Sequence, residues 1–306
     1  IRRPPRSTPK PSSPASDVYK RQRQYSRQKF PGQNRHKIIA RYQGYHGFTF
    51  GAMSATGQVG RRKKFEPLVP GFLHVDPPYC YRCPVKREYP ECGVACVDQF
   101  EEIIQRESPE TVAAVIVEPI IGGGGVIVPP DEYLPRLREI CDRHDVLLIY
   151  DEIITGWGRT GSMFAAETFG AIPDIICSGK ALSNGTVPLG AMIAREDMAE
   201  AFRGDPAAAL NFAHGHTYAG SPLGCASGLA VIDEIVEQGL CERARAMGDY
   251  LAQKLAGLKK YGVVREVRGR GLIRGVELVK DTASMEPFPE LGMAVSYTHL
   301  TLPTKA

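Results

Sequence analysis

No run of about 18 apolar residues occurs in this 306-residue chain, so no membrane-spanning helix is expected. No apolar segment follows the basic opening stretch, so that stretch does not read as a secretory signal. Eight cysteines are too sparse for a disulfide framework. Without a secretion signal they read as reduced thiols of a cytoplasmic protein. Glycines 122–125 lack the Gly-Lys-Ser/Thr ending of a P-loop, and Gly269-Arg270-Gly271 lacks dinucleotide-fingerprint spacing. The body shows no internal repeat or low-complexity run.

The composition present is that of a globular protein, with 43% apolar and 24% charged residues, which excludes a disordered or fibrous chain. The length suits one large domain or two. The net charge of +4 is unevenly placed. Residues 1–22 carry a balance of +5, whereas 23–294 hold 31 basic and 33 acidic residues, a balance of −2. The body therefore offers no basic surface for nucleic acid. The Pro-, Ser- and Arg-rich start and the ending SYTHLTLPTKA resemble translated adaptors. Residues 1–22 are accordingly expected to be a non-native or disordered tail, and 295–306 a non-native one.

Between these ends, strand-like and helix-like stretches alternate. Short apolar runs at 37–42, 112–118, 146–150, 174–178 and 189–194 read as buried strands. Helical periodicity covers 131–145, 222–237 and 241–259. Strands are expected again at 263–267 and 272–279, opening a smaller α+β region. The alternation predicts an α/β fold with a mainly parallel sheet and helices on both faces. A large domain over 23–235 and a partial α+β small domain over 236–294 are expected.

Cys80, Cys83, Cys92 and Cys96 fall in a Pro-rich loop as C-x2-C-x8-C-x3-C. That spacing is compatible with a structural zinc site and equally with ordinary thiols. No metal is assigned to the chemistry.

Ligands of open parallel sheets bind beyond the carboxyl ends of the strands. Glu118, Asp151 and Lys180 all fall at such ends. A lysine beside a hydrophobic wall can lose its proton and form a Schiff base. An aspartate can hold a protonated pyridine nitrogen, and together they suit a pyridoxal phosphate site. Singly, the aspartate reads equally as a helix cap and the lysine as a surface residue.

The surrounding words are more specific. VEPIIGGGGVIVPPDEYL, LLIYDEIITGWGRTGSMFAAE, PDIICSGKALSNGTVPLGA and HGHTYAGSPLGCA resemble the class III aminotransferases. KIIARYQGYHGFTFGAMSATG and VREVRGRGLIRGVELV extend the likeness over nearly all of 23–294. The resemblance implies a fold type I PLP-transferase, with pyridoxal 5'-phosphate as cofactor. It implies Lys180 as the Schiff-base lysine and proton carrier, and Asp151 as partner of the pyridine nitrogen. Ile153 would pack under one face of the ring and Tyr45 would cover the other. Thr217 would bond the cofactor phosphate across the subunit boundary of a homodimer. Glu118 matches a carboxylate near the site, and His46 is expected to be structural.

Ile154 and Gly123 stand where glutamate-using members commonly carry Gln and Glu. The DEIITGWGRTG form instead resembles the ω-amino acid–pyruvate branch, with Trp157 lining the pocket. FEPLVPG and PPYCYRCPVKREYPECG are similar to its taurine–pyruvate enzymes. The implied reaction moves an amine from taurine, β-alanine or a similar donor to a keto acid, pyruvate, with no nucleic-acid or membrane partner. An aminomutase of the glutamate-1-semialdehyde type and an inactive PLP-fold fragment are the alternatives. A glycine-serine phosphate turn and a substrate-carboxylate arginine, both usual in the family, have no counterpart here, and by the same likeness the strands opening the small domain at Val263 and Leu272 are expected to have no closing partners. The chain as given is therefore expected to be poorly active.

Overall fold

The structure, a computed structural model, describes residues 14–288 except 206, 208, 209 and 213. Residues 1–13 and 295–306, assigned above to tails, lie outside the described residues.

The main sheet has six strands: β1 (Lys37–Arg41), β2 (Phe72–Val75), β3 (Val112–Val117), β4 (Leu147–Asp151), β5 (Ile175–Ser178) and β6 (Ala191–Ala194). Their order is β2-β1-β3-β4-β5-β6. The first five run parallel and β6 pairs antiparallel to β5. The helices are α1 (Pro14–Lys29), α2 (Phe50–Ala55), α3 (Val59–Arg62), α4 (Asp98–Arg106) and α5 (Tyr133–Arg143). They continue as α6 (Ala165–Thr168), α7 (Glu196–Glu200), α8 (Pro222–Glu237) and α9 (Leu240–Ala256).

Strands β3 and β4 are buried along their whole lengths because both sheet faces are covered. Alternate residues point to opposite faces. Val115, Val117, Leu148 and Tyr150 pack with Phe100 and Ile104 of α4 and with Leu134 and Leu137 of α5. Ala114, Ile116 and Ile149 face the other way, toward Tyr25 of α1 and Ala52 and Ala55 of α2. Each fully buried aliphatic or aromatic side chain contributes about 1.5–3 kcal/mol. The apolar runs in the sequence are thus two interleaved core faces, and the expected helices on both faces are present.

Helix α1 begins inside the segment set apart by composition, and Tyr25 in its second half is 3% exposed. The strands after α9 pair with each other. β7 (Val264–Arg270), β8 (Ile273–Asp281) and β9 (Glu286–Pro287) form an antiparallel three-stranded sheet. The strands expected to lack partners therefore close as a hairpin with a short third strand. Gly248 of α9 meets the β7–β8 turn so closely that a Cβ would lie 2.2 Å from the Gly271 carbonyl oxygen. Only glycine permits that approach. Among the described residues, no helix is long and apolar enough to cross a membrane.

Candidate active site

Because β1, β3, β4 and β5 are parallel, their carboxyl ends share one edge of the sheet. Asp151 is the last residue of β4, Glu118 follows β3, and Lys180 follows β5 by two residues. Tyr45 and His46 lie in the segment after β1. The structure brings these five residues to one edge, as the strand-end argument expects.

Asp151 is 4% exposed. Its Oδ2 accepts a hydrogen bond from His46 Nδ1 at 2.8 Å, and its Oδ1 accepts one from the Ile153 backbone at 3.2 Å. A carboxylate offers about four acceptor positions, so two remain. The imidazole is itself buried, and the Thr56 hydroxyl accepts its backbone N–H at 3.0 Å. His46, expected to be structural, holds the aspartate in place.

Glu118 is buried, with each oxygen engaged by a backbone donor. The Tyr45 N–H reaches Oε1 at 2.8 Å and the Gly122 N–H reaches Oε2 at 3.0 Å. Arg41 donates to its carbonyl oxygen. Burial pushes the Glu118 carboxyl above its ordinary value and nearby Asp151 adds to the rise, while His46 and the two N–H groups oppose it. This carboxylate clamps the Tyr45 segment to the glycine turn.

That turn, 122–125, is closed by the Gly125 and Val126 N–H groups on the Gly122 carbonyl. A Cβ on Gly124 would lie 2.4 Å from the Gln43 carbonyl oxygen, so glycine is required there. The turn borders an open cleft of about 520 Å³ lined also by Tyr42, Gln43, Gln58 and Val59. Arg268 of β7 holds the turn from outside, donating to the Gly125 carbonyl at 2.6 Å and the Val126 carbonyl at 2.9 Å.

Lys180 opens a 3-10 turn, Lys180–Ser183, with φ of 43°. This left-handed conformation costs a non-glycine residue of order 1–3 kcal/mol, and such strain concentrates at functional sites. The side chain as a whole is solvent-accessible, yet protein crowds its amine. Desolvation lowers the amine's pKa, while Asp151 and Glu118 act in the opposite sense. Lys180 is thus an amine whose charged form is disfavoured by burial and favoured by two carboxyl groups.

Ile153 is half-buried and packs against the α1–α2 side of the core. Tyr45 is half-buried, with the Arg61 guanidinium 4.8 Å from its ring centre and Phe48 edge-on at 5.6 Å. Trp157 Nε1 donates to Ser178 Oγ at 2.5 Å, tying the loop after β4 to the end of β5. Its ring meets Phe164 edge-on at 5.0 Å. Glu152, fully buried, accepts the Ala165 and Ala166 N–H groups and the Thr155 hydroxyl, each at 2.8 Å. Sequence reasoning assigned no role to Glu152 or Ser178. The DE pair at a strand end was the available signal for the former.

Thr217 is exposed, in a turn. Among the described residues, the four clustered cysteines do not present three donors as a metal-ion set with each other or with His, Asp or Glu.

The donor set fits pyridoxal phosphate. A buried, anchored carboxylate retains free acceptor positions, and a lysine with a depressed pKa stands at the neighbouring strand end.

The sequence pattern of the family Aminotransferase class-III matches residues 13–301. An uncharacterized aminotransferase of Bacillus subtilis is 43% identical over 83% of this chain and 55% of its own length. The taurine–pyruvate aminotransferase of Bilophila wadsworthia is 39% identical over 83% of this chain and 56% of its own. The omega-amino acid–pyruvate aminotransferase of Pseudomonas putida is 37% identical over 85% and 59%. Among solved structures, an (S)-enantioselective omega-transaminase from Thermomicrobium roseum superposes with a TM-score of 0.84 at 41% identity, covering 91% of this chain and 62% of that one. An amine transaminase from an uncultivated Pseudomonas species, solved in its PLP-bound form, gives 0.85 at 37% identity, over 90% and 62%. The chain thus spans little more than half the length of the curated relatives it matches, and its fold is that of the fold type I transaminases.

Proposed function

The chain belongs to the class-III aminotransferases, and on that premise we propose that it moves an amino group from an ω-amino acid or amine to pyruvate. The cofactor is pyridoxal 5'-phosphate. The observation that carries the reading is the strand-end pair: Lys180, whose pKa burial lowers, opposite Asp151, anchored by His46.

When bound, pyridoxal phosphate supplies the carbonyl that takes up the amine and the ring that absorbs negative charge. Asp151 holds the proton on the ring nitrogen, and the His46 bond keeps that carboxylate aimed. Ile153 and Tyr45 supply apolar surface for the two ring faces. Lys180 Nζ accepts the proton released at the donor's amine-bearing carbon and redelivers it, which requires a neutral amine at working pH. Thr217, exposed beside Tyr218 and near Leu223, is assigned to the cofactor phosphate of a partner subunit. A homodimer would cover those apolar side chains.

The names of two relatives, the taurine–pyruvate and omega-amino acid–pyruvate aminotransferases, support pyruvate as acceptor. The absence of a polar side chain at Gly123 and Ile154, beside the cleft and the glycine turn, supports it further. Because the chain spans little more than half the length of its relatives, the test uses the full-length parent protein: a panel of taurine, β-alanine, diamine and aryl amine donors against pyruvate and 2-oxoglutarate. Alanine formed in preference to glutamate supports the reading. Transfer to 2-oxoglutarate alone, or an amine moved within one substrate with no acceptor required, overturns it.

A further inference from the structure

The cysteine loop has no part in the proposed transamination, yet its geometry is suited to chemistry of its own. Cys80 opens a 3-10 turn over Cys80–Arg82, and Cys83 is the residue that closes it. In such a turn, side chains three residues apart eclipse, and a rise of about 2.0 Å per residue sets their Cα atoms about 6 Å apart. A disulfide needs a Cα separation of roughly 4.4–6.8 Å. A 3-10 turn of ordinary geometry therefore puts the Cα atoms of this pair within that range.

Access sets these two thiols, and equally Cys92, apart from Cys96, so it is the turn that pairs Cys80 with Cys83. Cys80 is exposed and Cys83 half-exposed, whereas Cys96 is buried in the core. Burial still raises the Cys80 thiol, and Cys83 and then Cys92 push in the same direction. The turn is held on both sides. Tyr79 donates to Glu277 at 2.7 Å, and Arg82 donates to the Met285 carbonyl at 2.9 Å. The lack of a three-donor metal-ion set among the described residues favours a reaction of two thiols over a thiolate-bound metal ion.

We propose that Cys80 and Cys83 are an oxidisable dithiol that closes reversibly to a disulfide under a peroxide oxidant. The Cys80 sulfur attacks one peroxide oxygen. The O–O bond breaks, one water leaves, and Cys80 becomes a sulfenic acid. The Cys83 sulfur then attacks the Cys80 sulfur, the S–O bond breaks, and a second water leaves with the remaining thiol proton. Two thiols are oxidised and one peroxide is reduced to two waters.

Trypsin separates the four cysteines informatively. Cys80 falls in peptide 65–82, Cys83 in 83–86, and Cys92 with Cys96 in 88–106. The purified full chain is treated with hydrogen peroxide, its remaining thiols are alkylated, and the digest is mapped by mass spectrometry. The expected product joins 65–82 to 83–86 and is released by dithiothreitol. In Cys83→Ser, Cys80 should proceed to the sulfinic acid. The proposal is overturned if Cys80 is joined instead to 88–106. It is also overturned if both peptides are recovered alkylated at the level of untreated protein. One equivalent of zinc per purified chain, shielding both thiols from alkylation, overturns it equally.

Discussion

His46 Nδ1 lies 2.8 Å from Asp151 Oδ2, with both side chains almost wholly buried. The two residues are 105 positions apart in the chain. The bond consumes one acceptor position and fixes the direction of the others. A hydrogen bond to a charged group contributes about 1.5–3 kcal/mol. His46→Ala is therefore expected to weaken pyridoxal phosphate binding about ten- to hundred-fold. Titration of the cofactor against the variant measures this. His46→Asn, whose amide can still donate, should recover part of the loss, which a general packing defect would not.

Lys180 should stand out among the lysines by its titration. Desolvation lowers its folded pKa below the ordinary 10.5. At any pH between the lowered value and 10.5, a larger fraction of this amine is neutral than of an ordinary lysine. Acylation requires the neutral amine. Competitive labelling with trace acetic anhydride over a pH series should show the Lys180 profile displaced to lower pH. The unfolded chain binds more protons in that window, so the destabilising cost of burying this amine shrinks as pH rises there and is gone above 10.5. Lys180→Ala removes that slope.

The glycine turn makes contrasting demands at neighbouring positions. A Cβ on Gly124 would meet the Gln43 carbonyl oxygen at 2.4 Å, whereas one on Gly123 meets the Gln58 side chain at 3.4 Å and the Tyr45 Cβ at 3.8 Å, both ordinary or nearly ordinary contacts. Gly124→Ala should destabilise by about 1–3 kcal/mol. Gly123→Ala should stay within about 0.5 kcal/mol of the parent chain. Urea denaturation of the two variants reads the difference. If Gly123 sets acceptor choice, Gly123→Glu should fold normally and raise glutamate formation relative to alanine in the donor panel.

Arg268 couples the second sheet to the same turn. It bonds the Gly125 and Val126 carbonyls, Glu277 at 2.7 Å and Glu266 at 2.6 Å. Arg268→Met keeps the apolar stem and strands these acceptors. The expected loss is about 1–3 kcal/mol, seen as a lower denaturation midpoint. Limited proteolysis should then cut earlier near 122–126.

The strand ends were legible because a buried parallel strand is a short apolar run, and Glu118, Asp151 and Lys180 each stand at the end of one. Local periodicity likewise marked α5, α8 and α9. Partnerships across the chain carry no local signal. The His46–Asp151 bond and the Tyr45–Glu118 bond arise only when β1, β3 and β4 lie side by side. β2 is four residues between Gly71 and Asp76, too short for a period to register. The reversal of β6 was hidden for a related reason, since a run such as AMIA has no direction in composition. Helix α1 was masked by its polar, basic sequence, although Tyr25 and Ser26 are buried on it. The smaller sheet closes through backbone pairing between β7 and β8, which side-chain pattern alone does not reveal.

The central claim is that Lys180 is the amine that engages pyridoxal phosphate. The most direct measurement is borohydride reduction of the chain with the cofactor, followed by tryptic mapping. Modification at Lys180 blocks cleavage there, so the account expects a single pyridoxyl group on peptide 160–195, which holds no other lysine. The label should vanish in Lys180→Ala and fall in His46→Ala. Label spread over several surface lysines, or undiminished in Lys180→Ala, would contradict the account.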